Sequence, residues 1–190
     1  MTSSSTKQTL RRELIQRRDA LDKRQERSVA ICARIAAMAA LEAVAVLHCY
    51  LPIRSEVDIR PLMREALAQG KGIVTSIVQR NALELEHSWL TSLAAEDLEP
   101  GVWGTLRPRT LRPATLGDWS LIIVPLLGFD RTGYRLGYGK GYYDRFLKAS
   151  PAPTIGVAFA AQEVAAIPHE THDIPLDWIV TEDEVIQAHI

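Results

Sequence analysis

The sequence predicts a layered α/β domain. Short apolar runs at Ala43 to Tyr50, Ile73 to Val78, Leu121 to Val124, Thr154 to Phe159 and Trp178 to Thr181 read as buried strands. Amphipathic patterns of helical spacing stand between them, and strands that alternate with helices stack in layers around a sheet. A chain of 190 residues, 47% apolar and 24% charged, has the size and balance of one soluble domain with a substantial core.

The elements follow in order. Residues 1–6 are expected to form a disordered tail. From Lys7 to Ala20, Leu10 and Leu14 lie one turn apart among charges, the pattern of an exposed amphipathic helix whose Arg12, Arg17 and Arg18 make a basic face. Asp22, with Gln25 three residues on, reads as the N-cap of a second helix with an apolar face at Val29, Cys32 and Ile35. After the run that ends near Pro52, Asp58 caps a helix from Ile59 to Gln69 that Gly70 stops. Asn81 to Thr115, punctuated by Pro100, Gly101, Gly104, Pro108 and Pro113, reads as extended or looping chain. Leu121 to Val124, ending at Pro125, suits a central parallel strand that stops before a functional loop, and Gly139 to Leu147 begins a helix. No repeat, low-complexity tract or linker divides residues 1–190, so one domain is expected.

Composition excludes several function classes. With a net charge of −1, no global field draws the chain to nucleic acid or an anionic membrane, so an anion site must be built locally. An RNA-binding module using the basic first helix remains an alternative and predicts steep salt dependence, but Glu13, Asp19, Asp22 and Glu26 dilute that helix. Cys32 and Cys49 form neither a disulfide framework nor a metal knuckle, which suits a reducing compartment. The stretch MTSSSTKQTLRRE lacks an apolar leader core, and Ile35 to Leu47, interrupted by Glu42, falls short of the ~20 residues of a membrane span. A cytoplasmic protein is expected.

The chemistry concentrates in one loop. Gly128, Gly133, Gly137, Gly139 and Gly141 are clustered between a strand and a helix in a chain with 11 glycines, and such clustering needs a local cause. Glycine permits positive φ and close backbone approach, so successive N–H groups can cradle an anion beside a helix N-terminus. Arg135 and Lys140 add charge there, and in open α/β sheets such a loop falls outside the carboxyl ends of the strands. A flexible surface turn is the plain alternative. Lys140 is followed by Gly141, so this is no Walker A loop, and the dinucleotide fingerprint is absent.

The run VPLLGFDRTGYRLGYGKGYYDRFL, Val124 to Leu147, resembles the signature of the 5-formyltetrahydrofolate cyclo-ligase family, also called methenyltetrahydrofolate synthetases. KQTLR at Lys7, YLPIRSEVDI at Tyr50, VWGTLRP at Val102, and IGVAFAAQ followed by HDIPLDWIVTED agree in order and spacing, so the resemblance spans nearly the whole chain. It implies a single-domain three-layer fold with a mainly parallel central sheet flanked by helices. It also implies ATP- and Mg²⁺-dependent conversion of 5-formyltetrahydrofolate to 5,10-methenyltetrahydrofolate, with release of ADP and phosphate.

Position by position, the resemblance assigns ATP contacts to Lys7, Arg11, Arg135, Leu136, Gly137, Tyr138, Gly139, Lys140, Gly141, Tyr142 and Tyr143. Substrate contacts fall on Leu51, Glu56 and Trp103, with Tyr138 to Tyr142 shared between the two ligands. Mg²⁺ falls to Asp144 and Asp173, a hard cation for which carboxylates beside a phosphate cradle are suitable. Plainer readings stand beside these: a solvated basic face for Lys7 and Arg11, a surface charge for Asp144, core packing for Tyr143. His169 and His172 in PHETHD do not match H-E-x-x-H, so a transition-metal site is a poor reading.

The implied chemistry needs positioning and charge more than a nucleophile. The N5-formyl oxygen leaves only after taking the γ-phosphoryl group of ATP, whereupon N10 closes the ring; Arg135, Lys140 and Asp144 are the residues expected to serve that step. The chain is expected to act as a monomer on a small reduced formylated folate, with no nucleic acid and no membrane. The competing expectation is a catalytically divergent folate- or nucleotide-binding relative.

Overall fold

The computed structural model describes residues 3–188. Helix α1 (Ser3–Asp19) begins inside the stretch expected as a tail; residues 1 and 2 lie outside the described residues. It is followed by α2 (Arg24–Ala36), the single turn α3 (Ala39–Glu42), β1 (Val46–Cys49), α4 (Arg60–Ala68), β2 (Gly72–Val78) and β3 (Leu85–Trp89). A small hairpin of β4 (Leu98–Pro100) and β5 (Leu106–Pro108) precedes β6 (Leu121–Pro125), and β7 (Gly128–Phe129) pairs with β8 (Arg135–Leu136). Then come α5 (Tyr142–Ala149), β9 (Thr154–Val157), β10 (Trp178–Val180) and β11 (Val185–Gln187).

The seven-stranded main sheet has the order β11-β10-β9-β6-β1-β2-β3. Its inner strands, from β10 to β2, run parallel, and β11 and β3 add antiparallel edges. Because side chains alternate across a strand, the apolar runs feed both faces. Leu47, Ile73, Leu121 and Ile155 meet Ile31 and Ile35 of α2 and Leu62 and Met63 of α4. Val74, Ile122 and Val124 meet Phe146 and Leu147 of α5 and Leu176, and the His48 ring lies 4.6 Å from that of Phe146. The result is the expected three-layer α/β arrangement. Each fully buried Ile, Leu or Met side chain contributes about 1.5–3 kcal/mol, so Ile35→Ala strikes the α2 layer directly.

Several local expectations are corrected. Lys23, left-handed at φ 50°, is the N-cap of α2, and Asp22 caps nothing; it accepts a 3.4 Å hydrogen bond from Arg27 instead. The buried stripe of α2 is Ser28, Ile31, Cys32 and Ile35, while Val29, one position off that face, is 49% exposed. Helix α5 starts at Tyr142 and not at Gly139, because Gly139 and Gly141 hold positive φ; the stretch after Asn81 is in part extended, as expected, in edge strand β3 and the β4–β5 hairpin. The N-cap of α4 is Ile59, and Asp58, one residue before it, accepts the Arg60 N–H at 3.0 Å.

Candidate active site

After β1 the chain moves to one side for β2 and β3, then crosses back for β6 and β9. The crevice outside the carboxyl ends of β6 and β1 is therefore the topological switch point, where open α/β sheets bind ligands. A cavity of about 410 Å³ lies there, within the usual size for small-molecule sites. Lys7, Arg11, Leu51, Glu56, Trp103, every residue from Arg135 to Asp144, and Asp173 all line it. Sequence-distant candidates thus share one space.

One wall is cationic. Leu14 and Leu136 join in a small buried cluster that fixes α1 against the glycine loop, and the helix presents Lys7 and Arg11 one turn apart. Lys7 Nζ donates to Asp173 Oδ2 at 2.8 Å, and Arg11 Nε donates to the Gly137 carbonyl at 2.8 Å. Gly139 has φ 88°, the left-handed conformation that favours glycine, and a Cβ placed there would come within 2.9 Å of the Arg11 guanidinium carbon and push that flexible side chain aside. Arg135, whose side chain is 5% exposed, donates to Asp144 Oδ1 at 2.6 Å and to the Ile174 carbonyl. Burial pulls the Arg135 guanidinium below its ordinary value, opposed by the charges of Asp144 and Asp173. Burial also works to raise the Asp173 carboxyl, but the Lys7 ammonium and the Glu170 N–H outweigh it and hold it below the usual range.

The facing wall is apolar and acidic. Leu51 is buried, and Glu56 accepts the Ile53 N–H at 3.0 Å. Burial pushes the Glu56 carboxyl up, partly countered by that N–H, by Arg18 and Arg54, and by the Tyr138 hydroxyl. Trp103, left-handed at φ 56° and 54% exposed, stands at the rim, its ring centroid 5.6 Å from Lys140 Nζ and 6.4 Å from the Tyr142 ring. Tyr142 reaches the Ala82 carbonyl at 3.0 Å, and Tyr143 packs on Phe146 with ring centroids 6.1 Å apart while its hydroxyl stands 3.5 Å from Ser76 Oγ. Tyr143 is therefore both core and cavity wall.

Sequence reasoning missed the supports. Arg18 is buried and reaches Tyr138, and Arg145 donates to the Leu83 carbonyl at 2.7 Å, tying the loop's end to the β2–β3 turn. Tyr50, Ser76 and Val78 line the cavity because they end strands beside the switch point, a signal that exists only once strand order is known. Among the described residues no three His, Cys, Asp or Glu side chains converge, and His169 stacks on Tyr134 at 3.7 Å. No helix among them is long and apolar enough to cross a membrane.

The model of the 5-formyltetrahydrofolate cyclo-ligase family matches residues 3–182. The chain belongs to this family. Among cyclo-ligases, the one from Mus musculus is 31% identical over 96% of this chain and 97% of its own length. That of Escherichia coli K12 is 32% identical over 72% of this chain and 77% of its own. The solved 5,10-methenyltetrahydrofolate synthetase of Aquifex aeolicus superposes with a TM-score of 0.83 at 31% identity, covering 97% of this chain and 93% of its own. The synthetase of Mycoplasma pneumoniae, at 23% identity and TM-score 0.75, supports the cyclo-ligase fold alone.

Proposed function

We propose that this cyclo-ligase family member converts 5-formyltetrahydrofolate and ATP to 5,10-methenyltetrahydrofolate, ADP and phosphate in a Mg²⁺-dependent reaction, as a cytoplasmic monomer. The observation that carries the reading is the pairing of walls in one cavity. Lys7, Arg11, Arg135 and Lys140 gather at the glycine loop, Leu51 and Glu56 line the same cavity, and Trp103 stands by Lys140 and Tyr142 at its rim.

The residues present fit the implied groups. The loop at Gly139 and Gly141, where a Cβ would strike Arg11 and Arg145, leaves backbone free for close approach by phosphate. Asp144 and Asp173 offer an all-oxygen donor set suited to Mg²⁺, and each retains exposed surface, 28% and 16%, beside the cation that already holds it. When bound, Mg²⁺ would neutralise phosphate charge and polarise the transferring phosphoryl group.

The formyl oxygen takes the γ-phosphoryl group and ADP departs. N10 then forms its bond to the formyl carbon, gives up its proton, and the C–O bond breaks to release phosphate. The protein's part is alignment and charge. Arg135 and Lys140 face the triphosphate with Lys7 and Arg11; Asp144 orients Arg135; Glu56 receives donors on the pterin edge; Leu51 and the aromatic rings hold the flat heterocycle.

The test is the near-ultraviolet absorbance of the methenyl product, with each component omitted in turn and light scattering to give the oligomeric state. A rise only in the complete mixture supports the reading. A folded protein that binds ATP and yields no product supports the divergent folate- or nucleotide-binding alternative.

A further inference from the structure

Arg18, 1% exposed, is the bulkiest fully buried side chain among the described residues. A buried guanidinium is costly unless its donors are satisfied, yet all its acceptors here are neutral. Nε donates to Ser55 Oγ at 3.0 Å, Nη1 to the Leu126 carbonyl at 3.5 Å, and Nη2 to the Tyr138 hydroxyl at 2.7 Å. Ser55 Oγ donates onward to Asp19. The fork therefore spans three segments: the Ser55–Glu56 turn after β1, the chain just beyond β6, and the glycine loop. Arg18 and Arg54 also flank the Tyr138 ring, each 5.9 Å from its centroid.

We propose that Arg18 is a positioning residue for the cyclisation, its planar fork fixing the Tyr138 loop against the Ser55–Glu56 turn so that the phosphate and folate halves of the cavity stay in register. This rests on the functional reading above. The groups facing Glu56 are Arg18 from α1, Arg54 from its own turn, Tyr138 from the loop, and Tyr50 and Tyr143 from the strand and helix behind. Removing Arg18 subtracts a cation from that set, and burial then drives the Glu56 carboxyl further up.

The experiment compares Arg18→Met, Arg18→Lys, Tyr138→Phe and the Arg18→Met/Tyr138→Phe double variant with the wild type across pH. In Arg18→Met, kcat is expected to fall roughly tenfold to a hundredfold, as for a small misalignment, with the KM for ATP changed by less than about twofold. The acid limb of folate kcat/KM is expected to move to higher pH. Arg18→Lys restores the acid limb and not kcat, because an ammonium keeps the charge without the fork. The double variant is expected to be no worse than Arg18→Met alone. For Arg18→Met, an acid limb that does not move, or losses strictly additive with those of Tyr138→Phe, overturns the role. If Arg18→Met fails to fold, Arg18→Lys and Tyr138→Phe decide it: a kcat loss at constant KM for ATP supports the role, and wild-type kinetics overturn it. A wild-type protein that makes no methenyl product overturns the functional reading first, and the alignment role with it.

Discussion

The two walls of the cavity are built by different means. The phosphate wall is nearly one stretch of chain, Arg135 to Asp144, with two cations from one turn of α1, and its shape is set by backbone conformation at Gly139 and Gly141. The facing wall is gathered from Leu51 and Glu56 after β1, held by the buried Arg18 that links Ser55 to Tyr138, and its shape is set by burial and hydrogen bonding. A wall made of backbone is broken by adding atoms. A wall made of buried polar groups is broken by removing them.

The largest effect is expected where the phosphate wall depends on charge. Asp144→Ala should lower turnover by about 10²–10³-fold, the scale of losing a transition-state electrostatic contact. It should also cost about 2 kcal/mol of stability, since Arg135 loses its 2.6 Å partner and is left with the Ile174 carbonyl. Initial rates and urea titration report the two losses separately. Asp144→Asn, which keeps an acceptor for Arg135, should recover much of the stability and little of the rate; recovery of both would assign Asp144 to structure alone.

Gly139→Val tests the backbone principle itself. The residue's φ of 88° is strained for a branched side chain, which would also displace the Arg11 guanidinium 2.9 Å away, so turnover should fall about 100-fold through misplaced phosphate contacts. Thermal unfolding should move little by comparison, because the loop carries few core contacts. Glu56→Gln tests the other wall: the KM for folate should rise about 30-fold, some 2 kcal/mol of lost charge-assisted bonding, with the KM for ATP nearly unchanged. If Glu56→Gln instead raises the KM for ATP and spares that for folate, the assignment of walls to ligands is reversed.

The same division decides what the sequence revealed. Positive φ writes itself into residue type at the position concerned, so the glycine loop and the helix break before Tyr142 could be sought locally, although the helix was expected three residues early. The parallel strands are legible because burial on both faces leaves continuous apolar runs, whereas edge strand β3, Leu85–Trp89, mixes Glu86, His87 and Ser88 with apolar residues, and its pattern does not separate strand from extended loop. Arg18 was unreadable for a related reason. In a helix crowded with Arg11, Arg12 and Arg17 it looks like another solvated charge, and only the packing of α1 against the chain after β6 buries it.

The smallest effect at neutral pH lies behind the phosphate wall, where α5 rests on a histidine pair, His48 buried and His87 half-buried. His48 Nε2 and His87 Nδ1 stand 3.0 Å apart among Phe146 and Trp119, and His48 Nδ1 has no hydrogen-bond partner. Burial lowers both, with the neighbouring ring adding to the shift at His48, and brings His87 to about 4. The unfolded chain, whose histidines titrate near 6.5, therefore binds more protons than the folded one below that pH. Stability is complete above about 6.5, falls as pH drops, and the His87 share is gone below about 4. Depressed carboxylates such as Asp173 lose their contribution only at lower pH, whereas the raised Glu56 carboxyl takes up its proton in the folded state first and opposes the loss, so comparison with a histidine variant and not the pH interval isolates the pair. Urea midpoints at pH 7.5 and 5 should differ in the wild type and differ by less in His87→Phe, where burial still holds His48 low. Because Phe146 belongs to the helix that leaves the glycine loop, hydrogen exchange at pH 5 should rise in α5 before it rises in α2 or α4; a uniform rise would show that the two walls share one support.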